Sequence, residues 1–129
     1  MLAFTEGKCY SRKYISLKLG GDPVACLPHA NSKTVAMCLV SGRNIWEEQE
    51  KAILVTTGPR KKLNAKIFVN QPNSALPGFV FVSTNKWRYD GLFRVVRQST
   101  DPAELERATQ LRRYPASKVI QVIWVAKAV

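Results

Sequence analysis

The chain has 129 residues, 46% of them hydrophobic, which suits one domain with a buried core and excludes wholesale disorder. Its 20 lysines and arginines against 9 aspartates and glutamates give a formal net charge of +11, which favours a polyanionic partner. No apolar run approaches the roughly 18 residues of a membrane span, and the N-terminus lacks the apolar stretch of a secretory signal. We therefore expect one domain over residues 1–129, located in the cytoplasm at the nucleoid or in the nucleus, not secreted and without a membrane partner.

The positive charge is concentrated in the middle of the chain. Residues 51–100 contain nine basic side chains and a single acid, Asp90. The other acids cluster mainly at residues 47–50 and 101–106. This distribution is typical of a surface that contacts phosphate groups.

Short apolar runs separated by turn residues dominate the first half of the sequence. The alternation over residues 14–19 predicts a half-buried strand that ends at a Gly-Gly-Asp-Pro turn. The continuous apolar run over residues 34–40 predicts a strand buried on both faces. Residues 44–51 fit either one helical turn or a structured loop. Residues 52–57 predict another strand, which a Gly-Pro pair ends.

The central segment combines basic residues with further strand patterns. Residues 60–62 (RKK) predict a basic loop, and residues 66–69 a strand. The turn-rich residues 70–78 predict a loop. Residues 79–83 (FVFVS) predict a strand, because β-branched and aromatic residues follow one another there.

The last third contains two strand patterns and one helix. Residues 89–91 (YDG) predict a turn before a strand over residues 92–97, and residues 119–125 predict a central strand. Between them, residues 101–111 carry helix signals: Asp101 as cap, Pro102 at the first helical position, Glu104 at the capping-box position and apolar residues at helical spacing (Leu105, Ala108, Leu111). Tyr114-Pro115 is expected to close this helix. Together, the predicted strands and helix indicate a β-rich α+β domain, either a curved sheet or a small barrel, with one or two short helices.

Residues for catalysis or metal binding are sparse. Cys9, Cys26 and Cys38 form no close pair, and the only histidine is His29, so we expect reduced, partly buried thiols and no zinc site. A Cys26–His29 nucleophile pair lacks an orienting third group. We expect no catalytic centre, no metal and no cofactor in this chain.

Aromatic residues interleaved with charge indicate nucleic-acid binding. Trp46, Trp87 and Tyr89 lie in or beside predicted loops, where an aromatic ring can stack on an unpaired base. Trp124, inside an apolar strand pattern, is expected in the core. The run Lys86-Trp87-Arg88-Tyr89-Asp90 combines phosphate partners, stacking surfaces and one acceptor.

Several segments resemble SRA (SET- and RING-associated) domains of the PUA-like superfamily. Residues 88–96 (RYDGLFRVV) are similar to the Tyr-Asp-Gly motif of that family and the strand that follows it. Upstream, residues 40–42, a short acidic segment and residues 53–58 resemble the family's order of glycine, acidic loop, strand and Thr-Gly. Residues 70–76 resemble its Asn-x-Ala-Leu stretch.

The resemblance implies a PUA-like β-rich fold that reads 5-methylcytosine or 5-hydroxymethylcytosine by rotating the base out of the duplex. It implies three groups of site residues. The base-pocket walls would be Trp46 and Tyr89. The acceptors for the base edge would be Glu47, Glu48 or Asp90. The contacts to the DNA backbone would come from Arg60, Lys61, Lys62, Lys86, Trp87 and Arg88.

Three functions stay open at this point. The first is a reader of modified bases in double-stranded DNA, acting as the specificity module of a modification-dependent restriction system with a separate nuclease or motor as partner. The second is a PUA-like RNA-binding domain that uses the same basic face. The third is a small metal-dependent nuclease built on the glutamates at residues 47–50.

Overall fold

The computed structural model describes residues 4–71, 75–110 and 116–128. These residues form nine strands and three α-helices. The helices are α1 (Arg12–Leu19), α2 (Pro59–Val69) and α3 (Pro102–Thr109), and a short 3-10 helix spans Ala116–Lys118. The strands are β1 (Cys9–Tyr10), β2 (His29–Ala30), β3 (Lys33–Thr34), β4 (Met37–Leu39), β5 (Ile45–Trp46), β6 (Lys51–Thr56), β7 (Leu76–Ser83), β8 (Lys86–Ser99) and β9 (Val119–Lys127).

Seven of these strands form one mixed sheet. Its order is β4-β7-β8-β9-β6-β5, with β1 paired to β8, and β2 and β3 make a separate hairpin. Strands β4 and β7 run parallel, whereas the other pairs are antiparallel. The predicted β-rich α+β class is confirmed. The sheet is open rather than a closed barrel, and the helices number three rather than one or two.

Strand β6 lies between two apolar layers, which explains its continuous hydrophobic sequence. Ile53 and Val55 face a cluster that includes Phe68 of α2. Ala52 and Leu54 face a second cluster, which includes Leu105 of α3. Successive side chains of a strand point to opposite faces, so a strand covered by a helix on each side must be apolar at every position.

The strand predictions for residues 52–57, 79–83, 92–97 and 119–125 are confirmed, with shifted ends. Of the strand predicted over residues 34–40, only Met37–Leu39 form β4, and Thr34 belongs to the separate hairpin. Helix α3 is also confirmed. Asp101 is its cap, as predicted: its carboxylate accepts a hydrogen bond from the backbone N–H of Ala103 at 2.9 Å. Three predicted features fall wholly or partly outside the described residues: Leu111, the closing Tyr114-Pro115 pair and residues 72–74 of the predicted loop. Trp124 is buried, as predicted.

The strand predicted over residues 14–19 is wrong, because this segment is helix α1. Ser11 caps the helix by accepting a hydrogen bond from the backbone N–H of Tyr14 at 3.0 Å. Gly20 ends it with a φ of 87°, a conformation that glycine adopts without strain. The helix buries only Ile15 and leaves Leu17 78% exposed, so its alternating sequence does not correspond to two faces of a strand.

The basic loop at residues 60–62 and the strand at residues 66–69 are both wrong, because helix α2 covers them. Pro59 occupies the start of the helix, where its missing N–H costs no hydrogen bond. Asn64, Ala65 and Phe68 are buried at helical spacing. Packing of Phe68 against the sheet decides the conformation of a segment whose last residues have strand-like composition.

The turn predicted at residues 89–91 is also wrong, because β8 continues through it. The turn lies earlier, at Thr84 and Asn85, where Asn85 has a φ of 62°. Between β7 and β8 the register passes from Gly78 opposite Gly91 to Phe79 opposite Tyr89, so Asp90 is the extra residue of a β-bulge.

Residues 44–51 form no helical turn; as the second alternative predicted, residues 47–50 are a structured loop, and this loop joins two strands. Strands β5 and β6 pair antiparallel here, with Ile45 opposite Ala52 and Trp46 opposite Lys51. The backbone N–H of Glu47 donates to the carbonyl of Glu50 at 2.9 Å and closes the hairpin. The acidic segment is therefore the tip of a β-hairpin.

Candidate nucleic-acid interface

A cleft of about 860 Å³ opens between the two ends of the sheet. Cys38 of β4 and the following Val40 line one side, and residues 53–56 of β6 line another. Residues 24–27, helix α2 and Phe81 with Trp87 complete the lining. Strands β4 and β6 lie towards opposite ends of the strand order but line the same cleft, so the sheet curves around it. The volume lies within the range of pockets that hold a small ligand, roughly 300–1,000 Å³.

The interior of the cleft is largely apolar. Val40, Ile53 and Val55 contribute aliphatic surface. Burial raises the pKa of the Cys38 thiol to about 12, so this thiol is neutral at physiological pH. Cys26 also lines the cleft, and all three cysteines are free thiols. The burial predicted for them holds for Cys38, whereas Cys9 and Cys26 are exposed. The interior therefore suits an uncharged group.

Cations surround this apolar interior. Four basic side chains line the cleft: Arg12, Arg43, Arg60 and Lys61. Among the described residues that line it, Asp22 is the only acid, and its carboxylate accepts from the backbone N–H of Val24 at 2.7 Å. The cleft therefore combines a neutral interior with a positively charged surround, which favours a ligand that carries phosphate.

Arg12 builds one wall of the cleft. Its guanidinium donates to the backbone carbonyls of Asp22 and Ala25 at 3.1 and 2.8 Å. It also lies 5.1 Å from the ring centre of Trp87, a cation–π distance. These contacts tie residues 22–25 to α1 and β8. Sequence reasoning missed Arg12, since its partners are backbone atoms 10–13 residues away and leave no motif.

Helix α2 presents its cations where the backbone already carries positive charge. Arg60, Lys61 and Lys62 occupy its first turn, which contains no acidic residue. The N-terminal end of a helix carries roughly half a positive charge, so basic residues there oppose its stability. The same arrangement strengthens the positive potential beside the cleft. Lys61 is further positioned by donating to Thr56 Oγ1 at 3.0 Å.

Asp90, predicted as an acceptor for a base, is already engaged by protein groups. Its Oδ2 accepts from Nε1 of Trp46 at 2.9 Å, and its Oδ1 accepts from Nε of Arg88 at 2.6 Å. Trp46 also packs edge-on against Phe93, with ring centres 5.0 Å apart. The structure therefore brings together three predicted site residues, but it joins them to one another. This trio links the β5–β6 hairpin to the bulge in β8.

The ionised form of Asp90 contributes to stability. Burial raises its pKa, but the hydrogen bonds from Arg88 and Trp46 and the charge of Arg88 outweigh burial, so the pKa lies below the ordinary 3.8. A lowered folded-state pKa stabilises the fold above the unfolded-state pKa, and that stability is lost as the pH falls through the folded-state value.

We expect Asp90→Asn to reduce the free energy of unfolding by about 1–2 kcal/mol at pH 7, because Trp46 and Arg88 lose a charged acceptor. The deficit relative to the unmodified protein should begin to shrink as the pH falls below about 4, where the unfolded-state carboxyl takes up a proton, and it should be smallest below the lowered folded-state pKa of Asp90. Urea unfolding between pH 3 and 7 measures this difference. A deficit that stays constant across this range would rule out a stabilising charge on Asp90.

The remaining predicted aromatic residues separate into two environments. Tyr89 is 5% exposed and packs against Phe79 in a cluster beneath α1, so the structure does not place it beside Trp46. Trp87 lines the cleft and contacts Phe81 edge-on, with ring centres 5.3 Å apart. Lys86 is exposed next to the turn between β7 and β8. Of these residues, Trp87 is the one that the structure brings to the cleft.

In the acidic hairpin, Glu47 and Glu48 are exposed to solvent, whereas Glu50 is partly buried and hydrogen-bonded. The Glu50 carboxylate accepts from Nε1 of Trp124 at 2.8 Å and from Arg107 of α3 at 3.1 Å. The hydrogen bond from Trp124, followed by that from Arg107, lowers the pKa of Glu50. Glu50 therefore anchors the hairpin to β9 and α3. Sequence reasoning considered Glu50 only among the glutamates of a possible metal site and missed its anchoring role, because both partners are distant in the chain.

Within residues 4–71, 75–110 and 116–128, no group of three or more His, Cys, Asp or Glu side chains is placed to hold a metal ion. In that part of the chain, no helix has the length and hydropathy needed to cross a membrane.

The architecture matches solved structures of the SRA domain of SUVH5. One is its complex with hemi-methylated CG DNA, with a TM-score of 0.65 and 11% sequence identity over 99% of this chain and 91% of that one. The other is its complex with methylated CHH DNA, with a TM-score of 0.64 and 11% identity over 99% and 92%. The chain has the SRA-domain fold. No family model matches the sequence, and neither does any curated protein. The resemblance noted at residues 88–96 is thus accompanied by a shared SRA fold over nearly the whole chain.

Proposed function

We propose that this chain binds double-stranded DNA that contains a methylated cytosine, and that the cleft receives this base after it has rotated out of the duplex. The observation that carries the proposal is the cleft itself, an apolar cavity surrounded by cations at the open side of an SRA-fold sheet. The SUVH5 domain with this fold forms complexes with methylated DNA. The chain's net charge of +11 is favourable for DNA binding.

The roles of the surrounding residues follow from where they lie. Arg60 and Lys61 at the cleft, with Lys62 in the same helical turn, would hold phosphates on either side of the extruded nucleotide. Extruding a base costs a few kcal/mol, which these contacts and burial of the base would offset. Val40 and Ile53 would contact the methyl group.

The other predicted site residues keep supporting roles in this proposal. Lys86 would contact the backbone from the β7–β8 turn, and Arg88 would act chiefly through its ion pair with Asp90. Glu47 and Glu48 lie at the exposed hairpin tip, and their role as acceptors for the base edge stays a prediction. The proposal assigns no catalytic step to this chain. In a modification-dependent restriction system, a separate nuclease or motor would supply cleavage.

The proposal is tested with duplexes that differ at one base: cytosine, 5-methylcytosine, 5-hydroxymethylcytosine or N6-methyladenine. Fluorescence anisotropy at fixed moderate salt gives the affinities, and 2-aminopurine beside the test base reports unstacking. We expect at least a tenfold preference for a methylated cytosine, about 1.4 kcal/mol, together with a rise in 2-aminopurine fluorescence. Equal affinity for all four duplexes would refute the proposal.

A blocked cleft provides the matched control. Ala25 lines the cleft, so Ala25→Trp should abolish the preference while leaving weak, salt-sensitive binding. Leu17→Trp adds the same ring to an exposed position of α1 that does not line the cleft, and it should change nothing. A matched RNA is titrated alongside. Tighter binding to that RNA than to every duplex would favour the RNA-binding alternative.

A further inference from the structure

Asn64 is a buried polar residue whose side chain has an unused hydrogen-bonding atom. It lies in the middle of α2, its side chain is 8% exposed, and its Oδ1 is buried without a hydrogen-bond partner among the described residues. Asparagine is a poor residue for a helix interior, and a buried polar atom without a partner destabilises the folded state. An apolar residue at this position would avoid both the poor helix propensity and the unpartnered polar atom. The presence of asparagine instead indicates that its amide has a hydrogen-bond partner in a bound ligand.

The position of Asn64 on α2 points it at the cleft. Residues three and four apart share one face of a helix, so Asn64 lies on the face of Arg60 and Lys61. All three line the cleft. The two cations are exposed, whereas Asn64 is buried one helical turn, about 5.4 Å, further along the axis. A nucleotide whose phosphate meets the two exposed cations would have its base on the buried side, where Asn64 lies.

We propose that Asn64 is the residue of the cleft that recognises cytosine, and that its amide hydrogen-bonds the Watson–Crick edge of the extruded base, an edge that methylation at C5 leaves unchanged. The Oδ1 atom would accept from the exocyclic amine, and Nδ2 would donate to the ring N3. This inference rests on the function proposed above. It assigns the base edge to α2, in addition to the predicted acceptors of the β5–β6 hairpin.

The test replaces Asn64 by leucine, which has a similar size and no polar atoms. A residue that is merely structural would give a more stable protein with unchanged DNA binding. We expect Asn64→Leu to keep or raise the melting temperature, but to lower the affinity for the methylated duplex at least tenfold, to that of the unmodified duplex. Affinity for the unmodified duplex should not change, because in the proposed function only the methylated base leaves the duplex and meets Asn64. If the leucine variant fails to fold, Asn64→Ala is judged by the same criteria.

Thr34→Val is the matched control. The Thr34 side chain is 2% exposed, its Oγ1 also lacks a partner among the described residues, and it does not line the cleft. It should keep the full preference for methylated DNA. An Asn64→Leu variant that keeps this preference overturns the assignment and leaves the proposed function standing. An unmodified protein that does not distinguish the two duplexes overturns both.

Discussion

Replacing Arg60 and Lys61 together by alanine is expected to weaken binding to methylated duplex DNA by roughly ten- to a hundredfold at moderate salt. Both side chains line the cleft, and both stand at the positive end of α2, where their charges add to that of the helix. Each phosphate contact contributes about 0.9 to the slope of log affinity against log salt concentration. Losing two contacts should therefore reduce that slope by about 1.8.

The control for this prediction removes the same charge from elsewhere. Arg94 and Lys18 are exposed and do not line the cleft, so their double alanine variant lowers the net charge by the same amount. We expect it to lose less than threefold in affinity, a long-range effect that salt screens. Titrations of both variants at several salt concentrations make the comparison. Equal losses would show that overall charge, rather than the cleft, governs binding.

Phe93→Ala is expected to lower the free energy of unfolding by about 3–5 kcal/mol. The ring is 1% exposed and lies in the main core cluster with Leu39 and Ile123. It also supports Trp46, whose ring centre is 5.0 Å away. Gly78 provides the space for this ring, because a Cβ atom at that position would lie 2.8 Å from Phe93. Truncation leaves a cavity where the sheet and hairpin meet.

Urea unfolding monitored by tryptophan fluorescence measures this loss. A domain of this size has a total stability of about 5–15 kcal/mol, so the alanine variant can be largely unfolded. Phe93→Leu keeps most of the volume and should cost less. Val96→Ala is the surface control on the same strand, 60% exposed, and should change stability by less than about 0.5 kcal/mol. An alanine variant at position 93 as stable as this control would contradict the assigned core.

The parts of the fold that could be predicted from the sequence are those with strong local determinants. Residues 79–83 and 119–125 are rich in β-branched and aromatic residues and are strands in the structure. Asp101 and Pro102 mark the start of α3 through capping chemistry that involves neighbouring residues alone. Segments whose tertiary contacts oppose local preference were predicted wrongly. Helix α2 is the clearest case, because its cations and buried asparagine give no regular apolar stripe.

The candidate site was predictable in chemistry but not in geometry. Arg60 and Lys61, predicted as contacts to the DNA backbone, line the cleft in the structure, and their contact with DNA stays a prediction. Asp90, one of three acceptors predicted for the base edge, joins Trp46 to Arg88, a link that the sequence does not reveal. Arg12 and Asn64 could not be identified as cleft residues from the sequence, because a single arginine or asparagine forms no recognisable motif. Their roles depend on backbone carbonyls and a helix face that exist only after the chain has folded.

The sequence alone determined the charge of this protein, its β-rich class and most of its long strands, because composition and nearest-neighbour preferences act before any tertiary contact forms. Only the tertiary structure decided that residues 14–19 and 59–69 are helical and that β8 continues through a bulge at Asp90. It also decided that β4 and β6 border one cleft. Strand order and curvature depend on pairings between residues far apart in the chain, and a local pattern carries no information about them.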